Sequence, residues 1–470
     1  MVVQHNMQAA NANRMLNVTT SAQSKSTEKL SSGYRINRAA DDAAGLTISE
    51  KMRKQIKGLD RASTNAEDGV SAVQTAEGAL TEVHSMLQRM NELATQSANG
   101  TNSNTDRKAI QDEIDQLTTE IDRVSETTKF NETYLLKGDG AEKAHNVNAH
   151  DAGLDGVTLT DKGDKVDVTL KELKAGDKVS IAGKNYTIGG VTADVTTLLD
   201  NAKITGKDGD KVTINGTEYT YYSKADDNNT VVKTAGFFAK QPSAAEAATA
   251  DAAYTVATIK NLKGATITAG GKSVTTIDDV NGVDKNDSSV ITAAKAYELE
   301  SAEIVKASSI GTDTNATAGN LTDNKFTLTK GKVNYNDALS FNLHVGADAD
   351  MTNKITVNID SMNSAGLGVK GIKADTEQDA TYAIDAIADA ISTVSSQRSA
   401  LGAVQNRLEH TINNLDNVVE NTTSAESRIR DTDMAEEMVN YSKNNILAQA
   451  GQSMLAQANQ SNQGVLSLLQ

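Results

Sequence analysis

The sequence predicts an α+β protein, mainly α: a long helical coiled-coil bundle formed by both chain ends, with a β-hairpin and an inserted β-rich region. Three observations carry that prediction. Apolar residues step at three- and four-residue intervals through both outer parts of the chain. They alternate through the middle, and a single proline, Pro242, stands in 470 residues. Proline breaks helix interiors, so its rarity permits long uninterrupted helices.

Taken in order, residues 1–30 place Met7, Met15, Leu16, Val18 and Leu30 among amides, hydroxyls and alanine. The stretch is helix-compatible but too thinly apolar to offset the entropy of ordering it alone. Residues 440–470 share this character, with Ile446, Leu447, Met454 and Leu455 and a closing run from Val465 through Leu466 and Leu469. Both ends are expected to be disordered in the monomer and to fold when identical ends pack around them. Leu16, Leu30, Ile446, Leu447, Leu455, Leu466 and Leu469 are the residues expected to carry that polymerisation.

Val73, Ala76, Leu80, Val83, Leu87, Met90 and Ala94 then form one unbroken seam. After a polar break at Ser97–Asp106, Ile110, Ile114, Leu117, Ile121 and Val124 continue it. Near the other end, Ile384, Ile387, Ile391, Val394, Leu401, Leu408, Ile412, Leu415 and Val419 fit one heptad frame, interrupted only by Arg398 and Gln405. At 1.5 Å per residue this last seam is a rod of roughly 54 Å. A 3.5-residue repeat buries a narrow stripe, so each seam needs partner helices, and three seams in one chain supply an antiparallel bundle.

The middle changes in composition. All 12 arginines lie at or before Arg123 or at or after Arg398, and residues 138–337 use only lysine as cation, 22 against 28 acids. Gly176–Thr187 and Gly209–Thr220 share eight identities in twelve positions, 33 residues apart. Each alternates apolar residues around a turn, and Asn215-Gly216 is a strong two-residue hairpin signal. Repeated small hairpins therefore predict one or two β-rich domains. A further hairpin follows, with Leu339, Phe341, Leu343 and Val345 alternating before the turn and Ile355, Val357 and Ile359 after it.

Composition and motifs exclude much chemistry. Without cysteine there is no disulfide, thiol nucleophile or thiolate metal site. A net charge of −16 has the wrong sign for nucleic acid or an anionic membrane surface. No run of 18 apolar residues predicts membrane insertion. Met1–Leu16 lacks the apolar stretch of a secretory signal. His5, His84, His145, His150, His344 and His410 form no H-E-x-x-H pattern. Gly270-Gly271-Lys272-Ser273 lacks the first glycine of a phosphate loop, since Thr266 stands there, and reads as a hairpin turn. Asp348 and Asp350 begin like a calcium loop but lack its central glycine and closing glutamate. The reading is of a non-enzyme without cofactors or bound metal.

Several long runs carry a resemblance. Lys29–Leu46 (KLSSGYRINRAADDAAGL), Gln74–Leu80 (QTAEGAL) and Gln88–Asn99 (QRMNELATQSAN) resemble the N-terminal signature of the bacterial flagellin family. Ser396–Leu415 (SQRSALGAVQNRLEHTINNL), Ala425–Met434 and Asn445–Gln449 are similar to its C-terminal signature. The resemblance spans about residues 4–137 and 338–470. It implies a structural subunit of the flagellar filament, serving motility. Residues 1–40 with 431–470 would pair as inner-tube helices, 41–137 with 338–430 would form a helical bundle plus hairpin, and 138–337 would be a variable, surface-exposed insert. Phe341–Ile359 resembles the family's second-shell hairpin. Two features depart from the pattern: about 200 residues separate the hairpin from the first helical half, and Gln470 stands where many relatives end in Arg.

The resemblance also implies partners: a homo-polymer, an export chaperone at the C-terminal helix, and the filament cap and hook-junction proteins. It implies extracellular location after export through the flagellar type III pathway, without a cleaved signal peptide. Flagellins recognised by the host innate sensor Toll-like receptor 5 present a helical face whose matching positions are Gln88, Arg89, Glu92, Leu93, Gln96, Ile110 and Glu113. Asn91 and Leu117 stand where well-recognised relatives often carry Arg. Two alternative readings accompany this one. A hook–filament junction protein shares terminal helices with this family. An adhesin or glycan-binding insert would use Tyr219, Tyr221 and Tyr222 as a sugar platform.

Overall fold

The computed structural model describes residues 6–225, 230–243 and 245–467, with 462–467 described for their backbone only. Among the described residues eight α-helices occur: α1 (Met7–Ser32), α2 (Ala43–Ser97), α3 (Asn104–Thr127), α4 (Thr192–Asn201), α5 (Val256–Lys260), α6 (Ala293–Ala307), α7 (Glu377–Arg430) and α8 (Met434–Ser467). The 55 residues of α2 and the 54 of α7 are each uninterrupted rods of roughly 80 Å. No helix among the described residues is long and apolar enough to cross a membrane.

The chain packs as two units. The first comprises Met1–Gln74, Phe341–Val357 and Leu401–Gln470. Here α1 begins where the Asn6 side chain accepts from Ala9 N and ends at Gly33, whose N–H returns to Lys29 O. The segment that follows is stitched to the α7–α8 connection: Arg35 N donates to Arg430 O at 2.7 Å and Thr432 N to Gly33 O at 3.0 Å. The Arg430 guanidinium lies 4.7 Å over the Tyr34 ring and donates to Glu50 at 2.8 Å. α1 and α8 then pair with each other.

A two-stranded hairpin, Leu339–His344 with Lys354–Ile359, contributes Phe341–Val357 to this unit, where it lies against α2 and α7. Ala66, Ile355 and Leu408 are buried together, with Leu343, Val345 and Ile412 packed around them. At its tip Asp350 caps the short Met351–Asn353 turn by accepting from Thr352 N, which accounts for the acid there without an ion. A β-carbon on Gly58 would come 2.9 Å from Ala347 Cβ and 3.1 Å from its Cα, so the hairpin reaches α2 only because Gly58 has no side chain. Gly58→Ala is expected to lower stability by about 1 kcal/mol, overpacking outweighing the gain in helix propensity. Gly78 on α2 has nothing within 4 Å of such a carbon. Gly78→Ala should therefore raise stability by about 1 kcal/mol. Opposite shifts of the melting temperature test the pair.

The second unit comprises Thr75–Ser340 and Asn358–Ala400. Ala76, Leu80, Val83, Leu87, Met90 and Ala94 of α2 are all buried, as are Ile110, Ile114 and Ile121 of α3 and Ile387 and Val394 of α7. The stretch before α7 is laced onto α2 and α3. Gln111 accepts from Ala374 N at 2.6 Å and donates to Ile372 O at 2.9 Å, and Asp122 accepts from Ser364 N and Oγ. Arg107, buried, donates to Ser97 O and Asn99 O and so satisfies carbonyls at the end of α2.

Residues 138–337 leave and return through an antiparallel ribbon, Asp139–Asn146 with Lys332–Asp337. Beyond it lies a four-stranded antiparallel sheet ordered Thr317–Ala318, Lys325–Thr329, Lys165–Thr169, Thr158–Asp161. Two five-stranded sheets follow, each built around one of the repeated hairpins. Lys178–Ile181 pairs Lys184–Ile188, and Lys211–Ile214 pairs Thr217–Lys224 through a turn whose Asn215 and Gly216 have φ of 48° and 83°. Gly270 and Gly271, at φ 58° and 79°, likewise turn a hairpin. The region also contains three helices that strand-like alternation did not predict. α4 and α5 contribute Val195, Leu198, Leu199 and Ile259 to the core under one five-stranded sheet, and α6 contributes Tyr297 and Ile304 to the core of the four-stranded one.

Candidate interaction surfaces

The first candidate surface is the α1–α8 pair. It is tied by Asn6 Nδ2 to Ala458 O at 3.2 Å and by Lys29 Nζ to Glu437 at 3.6 Å. Gly451 faces Leu16, whose Cδ1 would lie 3.3 Å from a β-carbon there. A groove of about 730 Å³ runs between the helices, lined by Met15, Leu16, Leu447, Gly451 and Met454 among others. Nine of the seventeen large apolar side chains left exposed among the described residues sit on these two helices. Ile446 is 67 % exposed and Leu447 47 %. Leu16, Leu30 and Leu455 are half-buried. Leu466 falls where only backbone is described, and Leu469 lies outside the described residues. Isolated exposed leucines are ordinary, but a concentration of this kind marks an association surface.

The second is a polar face where α2 meets α3. Arg89 Nε donates to Glu113 at 2.9 Å and Nη1 to Glu92 at 3.1 Å, and these bonds, Glu113 first, raise the guanidinium above its ordinary range. Gln88 Nε2 lies 3.1 Å from His84 Nε2, and Gln96 is exposed. Thus Gln88, Arg89, Glu92, Gln96 and Glu113 form a solvent-facing group on two helices. Leu93 and Ile110 do not join it. They are 2 % and 7 % exposed, because each is apolar and turned with the seam into the bundle, so they support the face from beneath.

Other sequence candidates do not assemble. Tyr219 and Tyr221 alternate on one side of their strand and pack edge-on against Tyr254 and Phe237. Tyr222 belongs to the opposite side of the strand, so the three rings form no platform. His145 stacks on Tyr335 at 4.0 Å with Nε2 3.4 Å from Asp337, while the His150 backbone N–H donates to Ser308 Oγ. No group of three His, Asp or Glu able to hold a metal occurs among the described residues.

One polar cluster escaped sequence reasoning. Glu303 of α6 accepts from Tyr382 Oη at 2.8 Å, Gln378 Nε2 at 2.8 Å and Lys306 Nζ at 2.8 Å, joining the inserted region to α7. Burial pushes the Tyr382 phenol up, with the Glu303 carboxylate adding to the rise. One turn before it, Glu300 is 4 % exposed with Oε2 unpartnered, and burial pushes its carboxyl up to about 7.

Two continuous helices and a helical pair that holds apolar side chains in water define a structural protein built to meet other copies or partners. Comparison with known proteins makes the assignment specific. Residues 3–141 match the bacterial flagellin N-terminal helical region, and residues 384–469 the bacterial flagellin C-terminal helical region. A flagellin of Clostridium tyrobutyricum is 41 % identical over 469 residues, covering 98 % of this chain and all of that one. Flagellin C of Vibrio cholerae is 34 % identical over 467 residues, covering 99 % of both chains. A Salmonella muenchen flagellin is 36 % identical over 495 aligned positions, covering 97 % of this chain and 96 % of that one. The chain belongs to the bacterial flagellin family. It is a subunit of the extracellular flagellar filament and not an enzyme.

Proposed function

We propose that this chain enters the filament through the exposed apolar faces of α1 and α8. The concentration of solvent-facing Met, Ile, Leu and Val on that pair carries the reading, because nothing among the described residues covers them. Residues 1–40 with 431–470 form the inner layer, 41–137 with 338–430 the next, and 138–337 the outer, variable part. Repeated contacts that do not close into a ring generate an open helical polymer. Electron microscopy of the purified chain is expected to show filaments, and removing residues 1–30 and 440–470 is expected to abolish them. Filaments from the trimmed chain would refute the assignment of the ends.

Export follows the flagellar type III route without a cleaved signal, with a chaperone holding the C-terminal helix until passage and cap and hook-junction proteins met at the growing tip. A chain without cysteine, and with one proline, meets neither disulfide formation nor repeated slow prolyl isomerisation when it refolds there.

A second reading concerns the host. The exposed group of Gln88, Arg89, Glu92, Gln96 and Glu113 supports recognition by Toll-like receptor 5, with Arg89 at its centre. Arg89→Asp sets a third carboxylate between Glu92 and Glu113 on a surface position. Receptor affinity is expected to fall about tenfold or more, as for a central interface arginine, with helicity unchanged by circular dichroism. Unaltered affinity in a direct binding measurement would remove the assignment.

A further inference from the structure

The first unit carries two stripes of charge without an ion-pair partner among the described residues. On α2, Lys54, Lys57 and Arg61 fall within about 60° of one another at 100° per residue, with Lys51 at their flank. They lie on the side of the helix away from buried Leu59, Ala62 and Ala66. All four are exposed, and none has an ion-pair partner among the described residues. Asp60, the only acid between them, lies about 60° from Lys57, 100° from Arg61 and 120° from Lys54, and forms no ion pair with any of them among the described residues.

On α7, Glu409, Asp416 and Glu420 fall within about 40° of one another, beside the line of buried Leu408 and Leu415. Glu409 accepts only from Gln405 Nε2 at 3.0 Å and Asp416 only from Ser63 Oγ at 3.1 Å, and no cation pairs with any of the three among the described residues. The lengths match: at 1.5 Å per residue the cationic stripe runs about 15 Å and the acidic one about 16 Å. Leu59 and Ala62 pack with Leu415, so the stripes sit at the same level of the unit on adjacent helices, yet they do not neutralise each other.

We propose that the α2 stripe Lys51–Lys54–Lys57–Arg61 of one copy docks on the α7 stripe Glu409–Asp416–Glu420 of a second copy of this chain, setting the lateral register between neighbours. This rests on the filament reading and names a contact outside the α1–α8 pair. Complementary charge fixes register and suppresses wrong pairings more than it adds affinity, which suits a contact repeated along a polymer. The pairs are exposed and screened by salt, so they weaken as ionic strength rises.

The test measures the critical concentration for seeded polymerisation of the full chain at several salt concentrations. Lys54→Glu with Lys57→Glu should raise it about tenfold at low salt, and adding Glu409→Lys with Glu420→Lys in the same chain should bring it back towards the wild-type value. In wild type the critical concentration should rise between about 0.05 and 0.5 M salt, and this dependence should vanish in the two-charge variant. All substitutions are at exposed positions, and melting curves verify that each monomer is folded; Lys54→Gln with Lys57→Gln, expected to fall between wild type and the reversal, replaces a variant that is not. A reversal variant that assembles like wild type, or a four-charge swap that recovers nothing, overturns this contact while leaving the filament reading intact. A wild-type chain that forms no polymer overturns both.

Discussion

Replacing Ile446 and Leu447 together by aspartate is expected to abolish polymerisation while leaving the folded monomer intact. Ile446 is 67 % and Leu447 47 % exposed in the single chain, and neither belongs to its buried core, so the monomer loses little packing. Covering them in an assembled contact contributes about 1.5–3 kcal/mol each, and a covered carboxylate without a partner costs several kcal/mol more. The sum raises the critical concentration by at least about a hundredfold per affected contact. Sedimentation of polymer together with the melting temperature of the monomer separates the two effects. A variant that still assembles at wild-type concentration, or whose monomer melts early, would count against the assignment of this surface.

The second large effect is on the pH dependence of stability. Glu300 is buried with an unpartnered oxygen and a carboxyl pushed up to about 7, whereas in the unfolded chain it titrates near 4.5. The folded state therefore holds a proton that the unfolded state has already released between those two values. Stability is greatest below pH 4.5, falls as pH rises towards 7, and is level beyond it as far as this group is concerned. The loss attributable to Glu300 is about 2 kcal/mol, after allowing for residual screening by solvent. Glu300→Gln removes the titration and should flatten that part of the profile. Thermal melts of the full chain at pH 5 and pH 7.5 provide the check, and equal slopes for wild type and variant would exclude the mechanism. Glu303, one turn on, offers the internal contrast: three donors surround it, and Glu303→Leu should destabilise at every pH by leaving the buried Tyr382 hydroxyl without its acceptor.

Much of the helical framework was legible because each long helix packs one stripe inward, and a stripe leaves a period in the sequence. Every residue of the seam from Val73 to Ala94 is buried. The helices of the inserted region were hidden for opposite reasons. α6 places Glu300 and Glu303 at inward positions, so two carboxylates interrupt the apolar pattern that Ala296, Tyr297, Ile304 and Ala307 would otherwise show. α4 is only ten residues and begins among threonines, which favour strands. The Arg89 group was half legible. Exposure of Gln88, Glu92 and Gln96 follows from their four-residue spacing, but the bond from Arg89 to Glu113 crosses between helices and leaves no local signal. Ile110 belongs to the α3 seam by its spacing, and its burial shows the seam prevailing over its expected place at the surface.

The paired ribbon at the root of the inserted region has a practical consequence for chain engineering. Asp139 and Asp337 are register partners, so the two points where residues 138–337 leave and rejoin the trunk lie about 5 Å apart. Any globular domain whose own termini meet at that spacing can be spliced there without lengthening or straining the rods on either side. What the recipient loses is local and nameable. Gln378 and Tyr382 would be deprived of Glu303, Lys370 of Asp313 and Asp389 of Asn148, and Tyr382 would lose the apolar cluster it packs into, so these positions would need replacing along with the graft.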